Sequence, residues 1–287
     1  MSLPLGSPRA GIATRPRLGE ILVATGALTP LDVQRIVAVQ RERGARFGEI
    51  ALELGLITEA QLSCALARQI GYPYVEYGRS PLSYALAAAY EPFCAYSEAM
   101  RTLRSQLLMR WFGHKQRALA ICSPRRDDMR SAVAANLAIV FAQLGERTLL
   151  IDANLRAPLQ HDLFGIDIRA GLVNVICDQC GPEQALHSVA PFDKLAVMPA
   201  VVPPNPQELL SSSAFADLLE QMVARYDVVI IDTPPLLDYA DAAIVAQRTG
   251  GCLLNAHRHE TSTSDLKRSV ALLRPTGATL LGVVINA

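Results

Sequence analysis

The sequence is short of lysine, of net charge and of long apolar runs, and each shortage excludes something. Lys115, Lys194 and Lys267 are the only lysines among 27 basic residues, and 27 acidic residues balance the total to zero net charge. No global basic field is therefore present to hold a nucleic acid or an anionic membrane. The longest apolar stretches, such as 132–144 and 84–90, fall short of the ~20 residues that span a bilayer, and residues 1–16 lack the apolar run of a signal peptide. These absences predict a cytoplasmic chain with no direct membrane span and no nucleic-acid partner. The six cysteines (Cys64, Cys94, Cys122, Cys177, Cys180, Cys252) are scattered through apolar segments. Cys177 and Cys180 form a C-x-x-C with no second pair and no nearby histidine at ligand spacing, so they read as reduced core or loop residues.

What is present is enough for real cores. At 287 residues and 51% hydrophobic content the chain spans about two average domains. The charge is unevenly divided: residues 1–117 carry a net +5 and residues 118–287 a net −5, so the front suits an anionic partner better.

The front half repeats itself. Arg17-Leu18-Gly19-Glu20-Ile21 lies over Arg46-Phe47-Gly48-Glu49-Ile50 at an offset of 29, which also carries Gly26 onto Gly55, Thr29 onto Thr58 and Gln40 onto Gln69. Thr29-Pro30-Leu31-Asp32 sets an N-cap before a proline at the first helical position, and Thr58-Glu59-Ala60-Gln61 is a capping box, so each copy reads helix, turn, helix. The order Arg-x-Gly, Gly, Gln resembles the cyclic-di-GMP-binding motif of MshEN-type domains, which also comes in two copies. That resemblance implies a ligand set of Arg17, Gly19, Gly26 and Gln40 with Arg46, Gly48, Gly55 and Gln69. The chemistry suits it, since Arg offers a planar fork to guanine or phosphate, Gly admits close backbone approach and a Gln amide can pair with a purine edge. The Tyr- and Pro-rich stretch 72–96 contains a linker at 79–93, and Tyr72 and Tyr74 read as packing at the end of the first domain and not as phosphoacceptors.

The back half alternates apolar runs with helical periods: strands near 118–122, 148–151, 195–198, 228–231, 252–255 and 279–285, with helices near 130–144 and 207–224. This pattern predicts an α/β domain with a mostly parallel sheet and flanking helices, in which the residues just after each strand carry the chemistry. Ala120-Ile121-Cys122-Ser123-Pro124, Leu150-Ile151-Asp152, Leu155-Arg156, Asn205-Pro206 with Glu208-Leu209-Leu210, and Val229-Ile230-Ile231-Asp232-Thr233-Pro234-Pro235 follow in order. Together they resemble the bacterial tyrosine kinase family, specifically the chain-length-determinant kinases of exopolysaccharide export, over about residues 94–286.

The resemblance implies a P-loop fold using Mg-ATP, with Asp152, Asp232 and Arg130 as catalytic groups and Ser131, Asp152 and Asp232 toward metal. Ser131, Arg130 and Asn286 would hold nucleotide. It also implies a membrane chain-length-determinant protein as partner, and homo-oligomers through Glu98, Arg101 and Arg104, which share one helical face at i, i+3, i+6. Three departures weaken it as an enzyme. Where the family has G-E-G-K-[ST], this chain has Asp127-Asp128-Met129-Arg130-Ser131, which adds negative charge and a Cβ where phosphate approaches backbone. One like-charge contact there costs a few kcal/mol, about a hundredfold in affinity. Asn154 stands where the family has a second acid, and Asn286-Ala287 directly after the last strand leaves no tyrosine-rich tail.

The resulting expectation is a disordered start at 1–15, an MshEN-like domain at 16–78, the linker at 79–93 and a P-loop kinase-like domain at 94–287. Its function would be a kinase-like protein of exopolysaccharide synthesis and chain-length control, with cyclic-dinucleotide sensing and impaired ATP use. The alternatives are an active autophosphorylating kinase of the same pathway, a ParA/MinD-like ATPase, and a scaffold that binds no nucleotide.

Overall fold

The computed structural model describes residues 16–114, 116–126 and 129–286, and the chain divides into two units, Met1–Tyr72 and Pro73–Ala287. The expected disordered start lies outside the described residues.

The first unit holds four helices: α1 (Leu18–Ala24), α2 (Pro30–Arg43), α3 (Phe47–Glu53) and α4 (Glu59–Ile70). Its buried core is the repeat itself. Ile21 and Ile50, Leu22 and Ala51, Leu28 and Ile57, Ile36 and Ala65 are pairs at the offset of 29, and they close one cluster. Neither copy could bury such a face alone. Thr29 and Thr58 cap α2 and α4, their hydroxyls accepting from Asp32 N at 3.2 Å and Gln61 N at 3.3 Å. Gly26 and Gly55 turn the chain after α1 and α3 at φ of 74° and 65°, a left-handed conformation that favours glycine.

The second unit begins with residues 73–93. These pack as part of the unit, where the sequence suggested a linker. They include α5 (Ala87–Tyr90), followed by α6 (Ala95–Arg110). The rest alternates β1 (Ala118–Cys122), α7 (Arg130–Leu144), β2 (Thr148–Asp152), α8 (Gln160–Phe164), α9 (Leu172–Ile176), β3 (His187–Val189), β4 (Phe192–Met198), α10 (Pro206–Ser211), α11 (Ser213–Arg225), β5 (Val228–Asp232), α12 (Asp241–Thr249), β6 (Gly251–His257), α13 (Thr263–Leu273) and β7 (Thr279–Asn286). The strands form one seven-stranded sheet in the order β3-β4-β2-β5-β1-β6-β7, parallel except for β3.

The central strands are apolar throughout because helices cover both faces. Their side chains alternate between two cores: Leu119, Ile121, Leu150, Val228 and Ile230 enter one, while Ala120, Leu149, Ile151, Val229 and Ile231 enter the other. Helix α7 is buried on nearly every side, so its sequence is almost wholly apolar. Its buried Asn136 amide is matched: Oδ1 accepts from Ala88 N at 2.9 Å and Nδ2 donates to Ala85 O at 3.0 Å, which ties residues 85–88 onto α7. Gln143 of α7 does the same to the carbonyls of Pro73 and Ala88, both at 2.9 Å. Among the described residues no helix is long and apolar enough to cross a membrane.

Candidate nucleotide site

The carboxyl ends of β1, β2 and β5 lie side by side, and the parallel register makes Asp152 and Asp232 lateral neighbours. Ser123 follows β1, and Thr233 Oγ1 fastens the end of β5 to the Ile121 carbonyl at 2.8 Å. Helix α7 starts at Arg130, directly after the loop, so its first turn belongs to the same place. The preceding Met129 sits at φ 51° and ψ 19° with half its surface exposed. A non-glycine residue in that region costs about 1–2 kcal/mol. Asp127 and Asp128, on which the expected charge clash rests, lie outside the described residues.

Arg130 is the centre of the site. Its Nε donates to Asp232 Oδ1 at 3.0 Å and its Nη1 to Ser123 Oγ at 2.8 Å. The two charged side chains are 3% and 0% exposed. Ser123 in turn donates to the Arg125 carbonyl at 2.8 Å, and the Arg125 guanidinium grips Asp265 of α13 at 2.8 and 3.1 Å. The bond from Arg125, first, holds the Asp265 carboxyl below its ordinary range.

Asp152 is buried and fully engaged: Oδ1 accepts from Asn154 N at 3.1 Å, and Oδ2 from Leu159 N and Gln160 N, both at 2.9 Å. Burial, and then the neighbouring Asp232 carboxylate, push its carboxyl up to about 8, against three N–H donors that favour the charged form. Asn154 turns its amide to the Ala157 backbone, Nδ2 donating at 2.7 Å. Arg156 grips Asp241 at 2.9 and 3.2 Å and lies over the Tyr239 ring at 4.5 Å.

Gln160 is the residue that sequence reasoning missed. Wholly buried at the start of α8, it donates through Nε2 to Asp232 Oδ2 at 2.8 Å and to the Ser131 carbonyl at 3.1 Å. A glutamine before His161-Asp162 reads as surface, so no signal in the sequence marks it. Asp152 thus lies beside Arg130 and Asp232, and Ser131 meets the group through its backbone carbonyl. Asn286 ends the edge strand β7, where its Nδ2 donates to Asn255 Oδ1 of β6 at 2.7 Å.

On α6, Arg101 meets Glu98 and the Pro92 carbonyl, and Arg104 Nη1 donates to the Val140 carbonyl of α7 at 2.6 Å. Both arginines therefore make contacts inside the unit, while Glu98 is exposed.

In the first unit Arg17 and Arg46 are exposed at equivalent positions before α1 and α3. Gln40 Nε2 donates to Ala45 O at 3.2 Å and Gln69 Nε2 to Pro16 O at 3.3 Å. Each glutamine of one copy thus holds the carbonyl just before the other copy's arginine, a structural task beside the purine pairing the sequence suggested. A Cβ on Gly19 would meet the Phe47 ring at 3.2 Å, and one on Gly48 would meet Leu62 at 2.8 Å. The unit's own side chains fill the space before these two glycines.

Comparison with known proteins places this geometry. The AAA domain family matches residues 129–248. Tyrosine-protein kinase YwqD of Bacillus subtilis (strain 168) is 35% identical over 196 residues, 68% of this chain and 83% of that protein. The kinase domain of the Escherichia coli tyrosine kinase ETK is similar at a TM-score of 0.68 and 30% identity, covering 73% of this chain and 82% of that one. The chimerical protein CapA2B2 is similar at a TM-score of 0.67 and 30% identity, covering 78% of this chain and 98% of that one. The septum site-determining protein MinD of Pyrococcus horikoshii OT3, at 20% identity and a TM-score of 0.53, shares the fold alone.

Proposed function

The chain belongs to the bacterial tyrosine kinase family, and from that premise we propose a kinase-like accessory of exopolysaccharide synthesis and chain-length control. Its back unit handles ATP poorly and its front unit senses a cyclic dinucleotide. The family fold implies a nucleotide and magnesium at the strand ends. The observation that carries impaired ATP use is Arg130. In a P-loop the cation at this position reaches toward the phosphates, whereas here it is 3% exposed and shared between Asp232 and Ser123. Met129 in the left-handed region and Asn154 turned to the Ala157 backbone support the same reading.

For the front unit the support is the pair of exposed arginines repeated at an offset of 29, with Arg17 and Arg46 as anchors of one cyclic-di-GMP in an MshEN-type domain. A membrane chain-length-determinant protein is the proposed partner, recruiting this chain from the cytoplasm. Self-association through α6 would use the face of Glu98, Arg101 and Arg104, where Glu98 already pairs with Arg101 and both arginines hold backbone carbonyls. The test is incubation of the full chain with Mg-ATP and detection of phosphotyrosine. The expected result is none. Phosphotyrosine that forms on the unaltered chain and is lost in Asp152→Ala would overturn the reading in favour of an active kinase.

A further inference from the structure

Magnesium takes six oxygen ligands at about 2.0–2.1 Å and needs carboxylates with free lone pairs. The donor set at the strand ends does not fit it. Asp232 is wholly buried, with Arg130 Nε on Oδ1 at 3.0 Å and Gln160 Nε2 on Oδ2 at 2.8 Å. Asp152 commits three of its four lone pairs to backbone N–H groups, one on Oδ1 and two on Oδ2. Among the described residues, no group of three or more His, Cys, Asp and Glu gathers as a metal site.

Building on the impaired-nucleotide reading, we propose that the Arg130 guanidinium is the resident cation of this site, seated on Asp232 where a divalent metal would have to bind, so that the folded chain excludes magnesium and manganese. A guanidinium has no acceptor atom and does not release its proton, so it can neither ligate a metal nor be neutralised to admit one. It is also fixed from several directions. Ser123 Oγ accepts from Nη1, Ser123 donates to the Arg125 carbonyl, and Arg125 is gripped by Asp265.

Gln160 argues the same way through its orientation. Nε2 faces two acceptors, Asp232 Oδ2 and the Ser131 carbonyl, while its Oε1 is buried with no partner among the described residues. Reversing the amide would satisfy neither acceptor and would set a third oxygen against them. The carboxylate is thus supplied with N–H donors on both oxygens, an arrangement suited to an arginine partner and opposed to a metal, whose charge would also stand beside the guanidinium.

The test uses the full chain with no nucleotide, and reads bound manganese from the loss of the free-ion resonance together with thermal unfolding in millimolar manganese or magnesium. The unaltered chain is expected to take up no manganese and to melt at the same temperature with or without it. Arg130→Met keeps an unbranched stem and removes the charge, leaving Asp232 uncompensated. It is expected to bind one manganese per chain and to gain about 5 °C or more at a hundredfold excess over the dissociation constant. Should that variant fail to fold, Arg130→Gln carries the same readout. Manganese uptake by the unaltered chain, competed by magnesium, would overturn the proposal, as would a folded variant that gains none. In a separate ATP titration, low-micromolar binding by a chain that takes up no manganese would end the impaired-nucleotide reading and leave this one standing.

Discussion

Arginine is placed in opposite ways in the two units. In the front unit Arg17 and Arg46 precede α1 and α3, exposed and equivalent by the repeat, while the backbone beneath them is held by Glu20, Glu49, Gln40 and Gln69. In the back unit Arg130 is buried and already matched to Asp232. A guanidinium in water with a fixed base is free to recognise an anion. One inside a carboxylate cage is part of the fold. Family resemblance assigns both to ligands; the surroundings leave the first pair in solvent and build the second into the fold.

The comparison breaks most visibly at Asp232. Asp232→Ala leaves Arg130 buried without its counter-charge and is expected to cost about 3–5 kcal/mol of stability in urea unfolding, whereas Arg17→Ala is expected to change stability by less than about 0.5 kcal/mol. Equal effects would erase the distinction.

Next in size is a pH effect confined to the back unit. With its carboxyl raised to about 8, folded Asp152 keeps a proton that an ordinary unfolded carboxyl releases near pH 4. The stability it contributes is complete below the unfolded value and is lost as pH rises through the folded one. One proton across about two pH units amounts to about 2–3 kcal/mol between roughly pH 5 and 7. Asp152→Asn should flatten the pH profile of the denaturation midpoint. An unchanged slope would contradict the assignment.

On the front unit, Arg17→Ala should weaken cyclic-di-GMP by about 1.5–3 kcal/mol in calorimetry, the worth of a charge-assisted contact. The smallest effect is at Met129, where glycine relieves the left-handed backbone. Met129→Gly should gain about 0.5–1 kcal/mol, and a loss would mean that the exposed methionine makes contacts that outweigh the strain.

Local signals in the sequence reached far into this molecule and stopped where tertiary placement took over. The runs 118–122, 148–151 and 228–231 are almost wholly apolar, as a covered parallel strand requires, and the acids directly behind two of them, Asp152 and Asp232, lie at the strand ends. The offset of 29 read from the motif residues also relates the buried residues of the front core, such as Ile21 to Ile50 and Leu28 to Ile57. By contrast, β3 is three residues long, carries a histidine and a serine, and is a strand only because it pairs with β4. The helix expected at 207–224 breaks at Ser212, whose Oγ accepts from Phe215 N at 3.2 Å and starts α11. In a run of three serines that cap is indistinguishable from helix interior. Residues 79–93 look like a linker because their contacts to Asn136, Gln143 and Leu163 come from distant sequence. Gln160 was invisible for the same reason, since its burial depends on α8 closing over Asp152 and Asp232.

The most direct test of the account is one pair of titrations on the unaltered full chain, cyclic-di-GMP against Mg-ATP, followed by calorimetry under the same conditions. The account predicts saturable binding of the cyclic dinucleotide and no Mg-ATP binding tighter than high micromolar. Low-micromolar Mg-ATP binding, or no heat with cyclic-di-GMP, would contradict it.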